Sequence, residues 1–331
     1  MKRKYLIIIP ILILLIISLF YLPNSLRIKQ SIWIILGFLA CIIISKIKYK
    51  KILKYSIIYY IICILLLVLV LLLNKFTNGS RAWLNFKLFT IQPSELMKIA
   101  LILISIKYLN KCNIWQFILL YMIPMILIFL EPDTGGVIID IIILIFFLTK
   151  KLNKKQIFHL SIIFTIIISL FMGIYLFDKE ILIKLIGPSI FYRIDRITNF
   201  IQDDSIQTTN AIISIATGNT LYFPEMYNDF FIAYILSKNI YLLIIIILST
   251  ISLLIILKEK NTLASQVAFY LFLWQCWWNL AMNLKLVPVI GIPYLFLSYG
   301  GSHILSSMIL IGIIISSEDS KAHNHKVLDN M

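Results

Sequence analysis

Acidic residues are scarce in this chain: 15 Asp and Glu stand against 30 Lys and Arg in 331 residues, and charged residues make up only 14% of it. Soluble domains carry roughly 25% charge, so this composition excludes an ordinary solvated surface. Cysteine is nearly absent as well. Cys41, Cys63, Cys112 and Cys276 lie inside or beside apolar runs, at spacings that fit neither a metal site nor a disulfide framework, and read as packing residues. There is no internal repeat, low-complexity tract or soluble domain. What fills the chain is apolar: 61% of residues are hydrophobic and the mean hydropathy is +0.97.

Apolar runs near the ~20 residues that cross a bilayer recur along the whole length. They place spans at Tyr5–Tyr21, Ser31–Ser45, Ser56–Leu73, Ser94–Leu109, Trp115–Phe129, Gly135–Leu148, Ile157–Phe177, Asp229–Leu257, Leu263–Met282 and Ser302–Ser316. The fold class is therefore all-α: a polytopic integral membrane protein of about ten helices in a single domain over 1–331, with a long extracytoplasmic loop at 178–228 between helices 7 and 8. The stretch from Leu22-Pro23-Asn24 offers no small-residue cleavage site, so the first run reads as a retained helix.

Cytoplasmic loops keep Lys and Arg while translocated ones shed them. Lys2-Arg3-Lys4, the group Lys46, Lys48, Lys50, Lys51 and Lys54, and the group Lys150, Lys151, Lys154 and Lys155 fall on one side of the ten-span scheme. Both termini, including a solvated tail at 317–331, are then cytoplasmic. The net charge of +15 follows from this bias and from attraction to anionic membrane lipids, and it is not read as nucleic-acid binding.

Proline and glycine are few, yet Pro288, Gly291, Pro293, Gly300 and Gly301 crowd into Leu284–Ser302. Such a break inside a membrane protein is tolerated only where its freed backbone groups are buried in protein or line a wet cavity. The scheme gathers this break with the polar segments Asn74–Gln92, Glu131–Gly135 and Asp178–Asn228 on the outer face. The long one, read as lacking structure of its own, is the prime candidate for function.

At this point the residues resemble a family. Asn78-Gly79-Ser80-Arg81-Ala82-Trp83-Leu84, Ile91-Gln92-Pro93-Ser94-Glu95-Leu96-Met97-Lys98 and Glu131-Pro132-Asp133-Thr134-Gly135 look like the first half of the SEDS proteins, the RodA, FtsW and SpoVE group. Tyr192-Arg193 with Arg196, Gln207 ahead of Ala216-Thr217-Gly218, Pro224-Glu225-Met226-Tyr227-Asn228-Asp229-Phe230-Phe231, and Gln275–Asn279 leading into Pro288–Ser302 continue the pattern in order. The resemblance implies a peptidoglycan glycosyltransferase that polymerises lipid II at the outer face of the bacterial cytoplasmic membrane. It also implies work alongside a class B penicillin-binding protein in elongation, division or sporulation.

Joining two disaccharides needs a base at the attacking hydroxyl and positive charge on the departing pyrophosphate. Asp229, beside Phe230 and Phe231, occupies the position of the family's proposed catalytic aspartate; a carboxylate capping a helix start is the alternative. Arg193 and Arg196, three apart, suit phosphate oxygens, or else pair with Asp195, Asp203 or Asp204. Arg81, Trp83, Gln207, Asn279 and Ser298 complete the substrate-binding set, against membrane anchoring for Arg81 and Trp83 and helix packing for Asn279 and Gln275. Glu95, Lys98 and Asp140 are ionisable groups at similar depth and are expected to form a buried structural cluster. Asp133 sits at a turn that its side chain closes. Ser298 and Ser302 have no His-Asp pair to activate them, and His303 reads as structural. No residues are assigned to a metal; the resemblance leaves open a divalent cation, Mg or Mn, as cofactor.

The chain also departs from the family. Only Asn219–Phe223 separates Gly218 from Pro224, where a glycine-rich stretch is usual. Ser237-Lys238 replaces an acidic pair, Tyr227-Asn228 replaces His-Thr, and Leu295 replaces a proline. Two other readings therefore stand beside the enzyme: a transporter, or flippase, for the lipid-linked precursor, and a non-catalytic scaffold for a penicillin-binding protein.

Overall fold

The computed structural model describes residues 5–73, 82–86, 89–186 and 206–329. Its helices in chain order are α1 (Ile8–Tyr21), α2 (Asn24–Lys46), α3 (Tyr49–Lys54), α4 (Ser56–Leu73), α5 (Pro93–Tyr108), α6 (Ile114–Leu130), α7 (Thr134–Lys151) and α8 (Lys154–Phe177). After these come α9 (Lys179–Ile186), α10 (Ile206–Thr217), α11 (Phe231–Lys238), α12 (Leu242–Lys260), α13 (Leu263–Asn283) and α14 (Gly301–Asp329). A hairpin of β1 (Leu84–Phe86) and β2 (Phe89–Ile91) precedes α5, pairing Leu84 with Ile91 and Phe86 with Phe89. The protein is helical, and among the described residues five helices are long and apolar enough to cross a membrane: α2, α4, α8, α12 and α14.

Local chemistry sets the helix starts. Asn113 and Asn153 each accept from the backbone of a Gln three residues on, whose side chain answers to the cap's own N–H, and Thr262 makes the same exchange with Ser265. These capping boxes satisfy amide donors that a helix start leaves orphaned. At the opposite ends lysines close exposed carbonyls. Lys151 Nζ donates to Leu109 O and Cys112 O, each at 2.6 Å, and Lys107 Nζ to Lys54 O at 3.0 Å.

Four features differ from the sequence reading. The expected span from Asp229 to Leu257 is two helices, α11 and α12, because Asn239 takes an extended conformation (φ −157°, ψ 99°) and its Oδ1 accepts from Tyr241 N at 3.1 Å. The long 178–228 segment, expected to lack structure of its own, carries α9 and α10. Helix α2 starts at Asn24 rather than Ser31, since Pro23 fixes the turn ahead of it. Finally, α14 continues to Asp329, with Ser316 Oγ donating to Ile47 O at 2.6 Å and Lys260 pairing with Glu318 beyond the expected end at Ser316.

Helix α14 packs along α2 and against α5 and α13. At Gly312 a Cβ would stand 2.8 Å from Cys41 O, so only glycine permits this approach of α14 to α2. The core lies between these helices and α7, with Phe117, Phe147, Phe272 and Phe296 wholly buried. The outer faces of α1, α2, α4 and α12 expose Ile, Leu and Phe side chains, the surface a bilayer would cover.

Candidate functional site

The Leu284–Ser302 break is buried in protein from Ile292 to Ser298, and several of its freed backbone groups are met by side chains from α2 and α13. Trp278 Nε1 donates to Pro288 O at 3.2 Å and Asn279 Nδ2 to Ile292 O at 2.7 Å. Gln30 Nε2 donates to Ser298 O at 3.2 Å, while its Oε1 accepts from Gly300 N at 3.3 Å. Tyr294 OH bonds Thr250 Oγ1 at 2.7 Å. The hairpin is tied to the same place, because Ser302 Oγ accepts from Gln92 N at 3.0 Å and lies 3.3 Å from Thr90 O. A broken segment at membrane depth needs such partners for every buried polar group.

Asp229 stands beside this break, in a turn ahead of α11. Its side chain does not cap that helix: the residue at the cap is Phe230, with no side-chain bond. The turn is closed instead by Asn228 N and Phe230 N donating to Glu225 O, with Glu225 in a left-handed conformation (φ 57°). The backbone carbonyl of Asp229 accepts from Asn279 Nδ2 at 2.8 Å and Asn283 Nδ2 at 3.1 Å. Tyr299 N donates to Tyr227 O at 2.8 Å, joining the turn to the break.

The Asp229 carboxylate itself accepts no hydrogen bond from the described residues. Its Oδ2 faces Gly291, where a Cβ would lie 3.7 Å away and would meet no other atom within 4 Å. Gly291 also has φ +70°, a conformation that favours glycine. The space over Asp229 is thus open while its flanks, Phe230 and Phe231, are buried. Burial pushes the carboxyl up to about 7, helped by the negative charges of Glu225 and then Asp133. A carboxylate so placed exchanges a proton near neutrality.

Asp133 caps α7. Its Oδ1 accepts from Gly136 N at 2.8 Å, and its Oδ2 accepts from Ser94 Oγ at 2.7 Å and Gln92 Nε2 at 2.8 Å. One carboxylate therefore joins the hairpin exit, α5 and α7. Below it, Glu95 Oε2 lies 2.5 Å from Lys98 Nζ and 2.6 Å from Ser306 Oγ, and Glu95 Oε1 lies 3.3 Å from His303 Nδ1. His303, expected only as a structural residue, is part of this buried group. Asp140 is buried and is an electrostatic neighbour of Lys98 and Glu95, but its Oδ2 makes no hydrogen bond.

The other expected site residues separate. Asn279 is wholly buried and holds backbone rather than facing open space. Ser298 is also buried; its Oγ accepts from Tyr294 N at 2.9 Å and closes a turn of the break. Gln275 is buried, with no hydrogen bond to its amide. Gln207 is half-buried near the start of α10, and Trp83 is partly exposed beside β1. Arg81, Arg193 and Arg196 lie outside the described residues, as do Asp195, Asp203 and Asp204. Among the described residues no group of three or more His, Cys, Asp or Glu could hold a metal ion. The sequence marks neither Asn283 nor Gln30 as a site residue; the spacing of Asn283 one turn beyond Asn279 on the same helix is a signal for the first, whereas Gln30 lies among polar residues at the start of α2.

The stretch between Gly218 and Pro224 is braced by side chains. Ser214 Oγ accepts from Leu221 N at 3.0 Å, Asn210 Nδ2 donates to Tyr222 O at 2.9 Å, and Thr220 Oγ1 bonds Ser237 Oγ at 2.9 Å. Ser237 is buried and ties this stretch to α11.

Comparison with known proteins agrees with this architecture. The peptidoglycan glycosyltransferase MrdB of Helicobacter pylori is 27% identical over 348 residues, covering 94% of this chain and 87% of its own. The stage V sporulation protein E of Bacillus subtilis is 27% identical over 329 residues, covering 87% of this chain and 85% of its own. Among solved structures, a chain of a peptidoglycan synthase complex superposes with a TM-score of 0.78 at 18% identity, over 95% of this chain and 97% of that one. The rod shape determining protein RodA of Thermus thermophilus superposes at 0.68 with 19% identity, over 96% of each. With residues 4–323 matching the cell cycle protein family of FtsW, RodA and SpoVE, the chain belongs to that family.

Proposed function

We propose that this protein is a peptidoglycan glycosyltransferase that polymerises lipid II at the outer face of the cytoplasmic membrane, with Asp229 as the general base. The carrying observation is the Asp229 carboxylate: partly buried, free of donors among the described residues, facing open space over Gly291, and titrating at about 7. A base with its pKa near the working pH is the most effective one. The names of the curated relatives, peptidoglycan glycosyltransferases among them, support the same reaction.

In the proposed step the acceptor's sugar hydroxyl oxygen attacks the anomeric carbon of the donor. The bond from that carbon to the pyrophosphate oxygen breaks, the hydroxyl proton passes to Asp229, and an α-linked donor yields a β-linked strand. Negative charge gathers on the departing pyrophosphate. Arg193 and Arg196 are assigned to hold it, and Arg81, Trp83 and Gln207 to the carrier and sugars. The described residues offer no protein-held metal set, so no step is routed through a divalent cation.

The proposal extends to topology and partner. About ten crossings with both termini cytoplasmic put the lysine-capped helix ends inside and Asp229 outside, in line with the charge bias. The resemblance to a chain of a peptidoglycan synthase complex that coordinates polymerization and crosslinking supports a class B penicillin-binding protein as partner.

The test is glycan-strand formation from lipid II by the purified chain with its penicillin-binding partner, native against Asp229→Asn, read on a gel. Strands from the native complex that vanish in the variant support the enzyme. Strands that persist, with fold and partner retained, overturn the assignment of Asp229, and their absence from a well-folded native complex favours a scaffold or carrier.

A further inference from the structure

Asn279 and Asn283 stand one turn apart on one face of α13, both buried, where polar side chains need a reason to be. Neither faces open space. Asn283 Nδ2 donates to Asp229 O at 3.1 Å and to Asn279 O at 2.8 Å, while its Oδ1 accepts from Ala233 N at 3.1 Å in the first turn of α11. Asn279 Nδ2 donates to Asp229 O at 2.8 Å and to Ile292 O at 2.7 Å. Two amides on one rigid helix therefore hold three separate pieces of chain: the Asp229 turn, the start of α11, and the break one residue after Gly291.

We infer that Asn283, acting with Asn279, is a positioning residue for the glycosyl transfer, fixing the Asp229 turn so that its carboxylate stays over Gly291. This rests on the reading of Asp229 as the base. The physical need is clear from the local structure. The turn's own bonds all return to Glu225, from Asn228 N and Phe230 N to its carbonyl and from Asn228 Nδ2 to its carboxylate, so none of them holds Asp229 itself, and the residue at the α11 cap offers no side-chain bond. Nothing on the carboxylate side orients Asp229, so its aim comes from its backbone. Both donors converge on the single carbonyl oxygen of Asp229, which has two lone pairs to accept them. Ala233 N is one of the orphan donors of the α11 start, and Asn283 Oδ1 supplies in trans the cap that the local sequence lacks.

A structural role alone and a positioning role differ in what they move. Loss of the clamp lets the turn swing and admits water to the carboxylate, which otherwise feels burial and the charges of Glu225 and Asp133. A displaced base slows the chemical step without weakening substrate binding, and misplacement by an ångström costs up to roughly 100-fold.

The experiment compares the native complex with Asn283→Ala and Thr250→Val in lipid II polymerisation across pH, with rates normalised to folded protein. Thr250→Val removes the bond to Tyr294 OH on the far side of the break and serves as the control for destabilisation. The expected result for Asn283→Ala is a kcat lower by roughly 10- to 100-fold, an unchanged KM for lipid II, and an alkaline-rising limb whose midpoint moves down towards the ordinary carboxylate range. Thr250→Val is expected to lower the melting temperature with its midpoint in place. If Asn283→Ala loses only folded protein and keeps native kcat and midpoint, the inference is overturned. If Asp229→Asn still polymerises, the reading beneath it fails instead, and the two failures are told apart by these variants.

Discussion

Gly135 approaches Ile290 so closely that a Cβ on the glycine would lie 2.5 Å from the Ile290 carbonyl oxygen, with Ile292 Cγ1 and Gly291 O next nearest at 3.1 and 3.3 Å. The contacted carbonyls are backbone, which cannot turn aside like a side-chain tip. The first turn of α7 thus forms one wall of the break, on the side that holds Gly291 against Asp229.

Gly135→Ala is accordingly expected to push the break off α7. Alanine in a helix is ordinarily stabilising by up to about 1 kcal/mol over glycine, so a drop in melting temperature would itself report the clash. Polymerisation per folded molecule should fall further than stability does, because the displaced segment carries Gly291. Native rate and stability in this variant would show that the break gives way freely, contrary to the packing described.

Lys98 and Glu95 form a pair at 2.5 Å with side chains 1% and 8% exposed. Removing one partner of such a buried pair costs about 3–5 kcal/mol, because the remaining charge is stranded, whereas replacing both is far milder. Lys98→Met should therefore lower the thermal unfolding midpoint sharply and Glu95→Gln/Lys98→Met should recover most of it. The double variant is expected to polymerise lipid II normally per folded molecule. Loss of activity with the fold restored would favour a carrier that uses these charges for transport.

Asp133 holds three donors at once, from Gln92, Ser94 and Gly136. Asp133→Ala strands them and removes a helix cap, a change worth about 1–2 kcal/mol for the cap alone and more for each donor left unsatisfied. Asp133→Asn keeps an acceptor for Gly136 but removes a negative charge felt by Asp229. It should lower the pH midpoint of the reaction slightly, and a midpoint that rises would contradict the electrostatics.

Much of this was legible in the residues, for physical reasons that also mark where legibility ends. Apolar run length and lysine bias identify a helical membrane protein because water and lipid select them residue by residue. The place of the Pro/Gly break was legible for a similar reason: backbone freed at depth must be buried or wet. Its partners were not, since Gln30 lies 268 positions from the Ser298 carbonyl it meets, and no local pattern encodes such pairing. The Glu95–Lys98 contact follows from i,i+3 spacing on one helix. Asp140 is buried near enough to feel the charges of both, but how α7 is rotated about its axis, which depth alone does not give, decides which side chain bonds Glu95, and that neighbour is His303. The split of α11 from α12 falls at Ser237-Lys238-Asn239, a polar interruption too short to tell a helix break from a polar patch within one long helix. Asp229 was found through its motif, but its lack of donors and its setting over Gly291 are properties of the fold.

That setting makes Asp229 a liability for stability in a definite pH window. Its carboxyl titrates at about 7 in the folded chain against an ordinary value of 3.8. The folded state therefore binds the proton more tightly than the unfolded state, and stability falls as pH rises between these values, with the loss complete above about pH 7. Asp229→Asn cannot ionise and escapes this loss. Its melting temperature should exceed that of the native chain at about pH 8, and the gap should shrink steadily as the pH is lowered towards about 5. Native activity should rise through the same interval, since the base works only after it has lost the proton. A stability gap that does not change with pH would mean that Asp229 keeps an ordinary carboxylate pKa, and its role as a base tuned to neutrality would go with it. A gap that follows the activity midpoint would tie the cost of burying the carboxylate to the chemistry it performs.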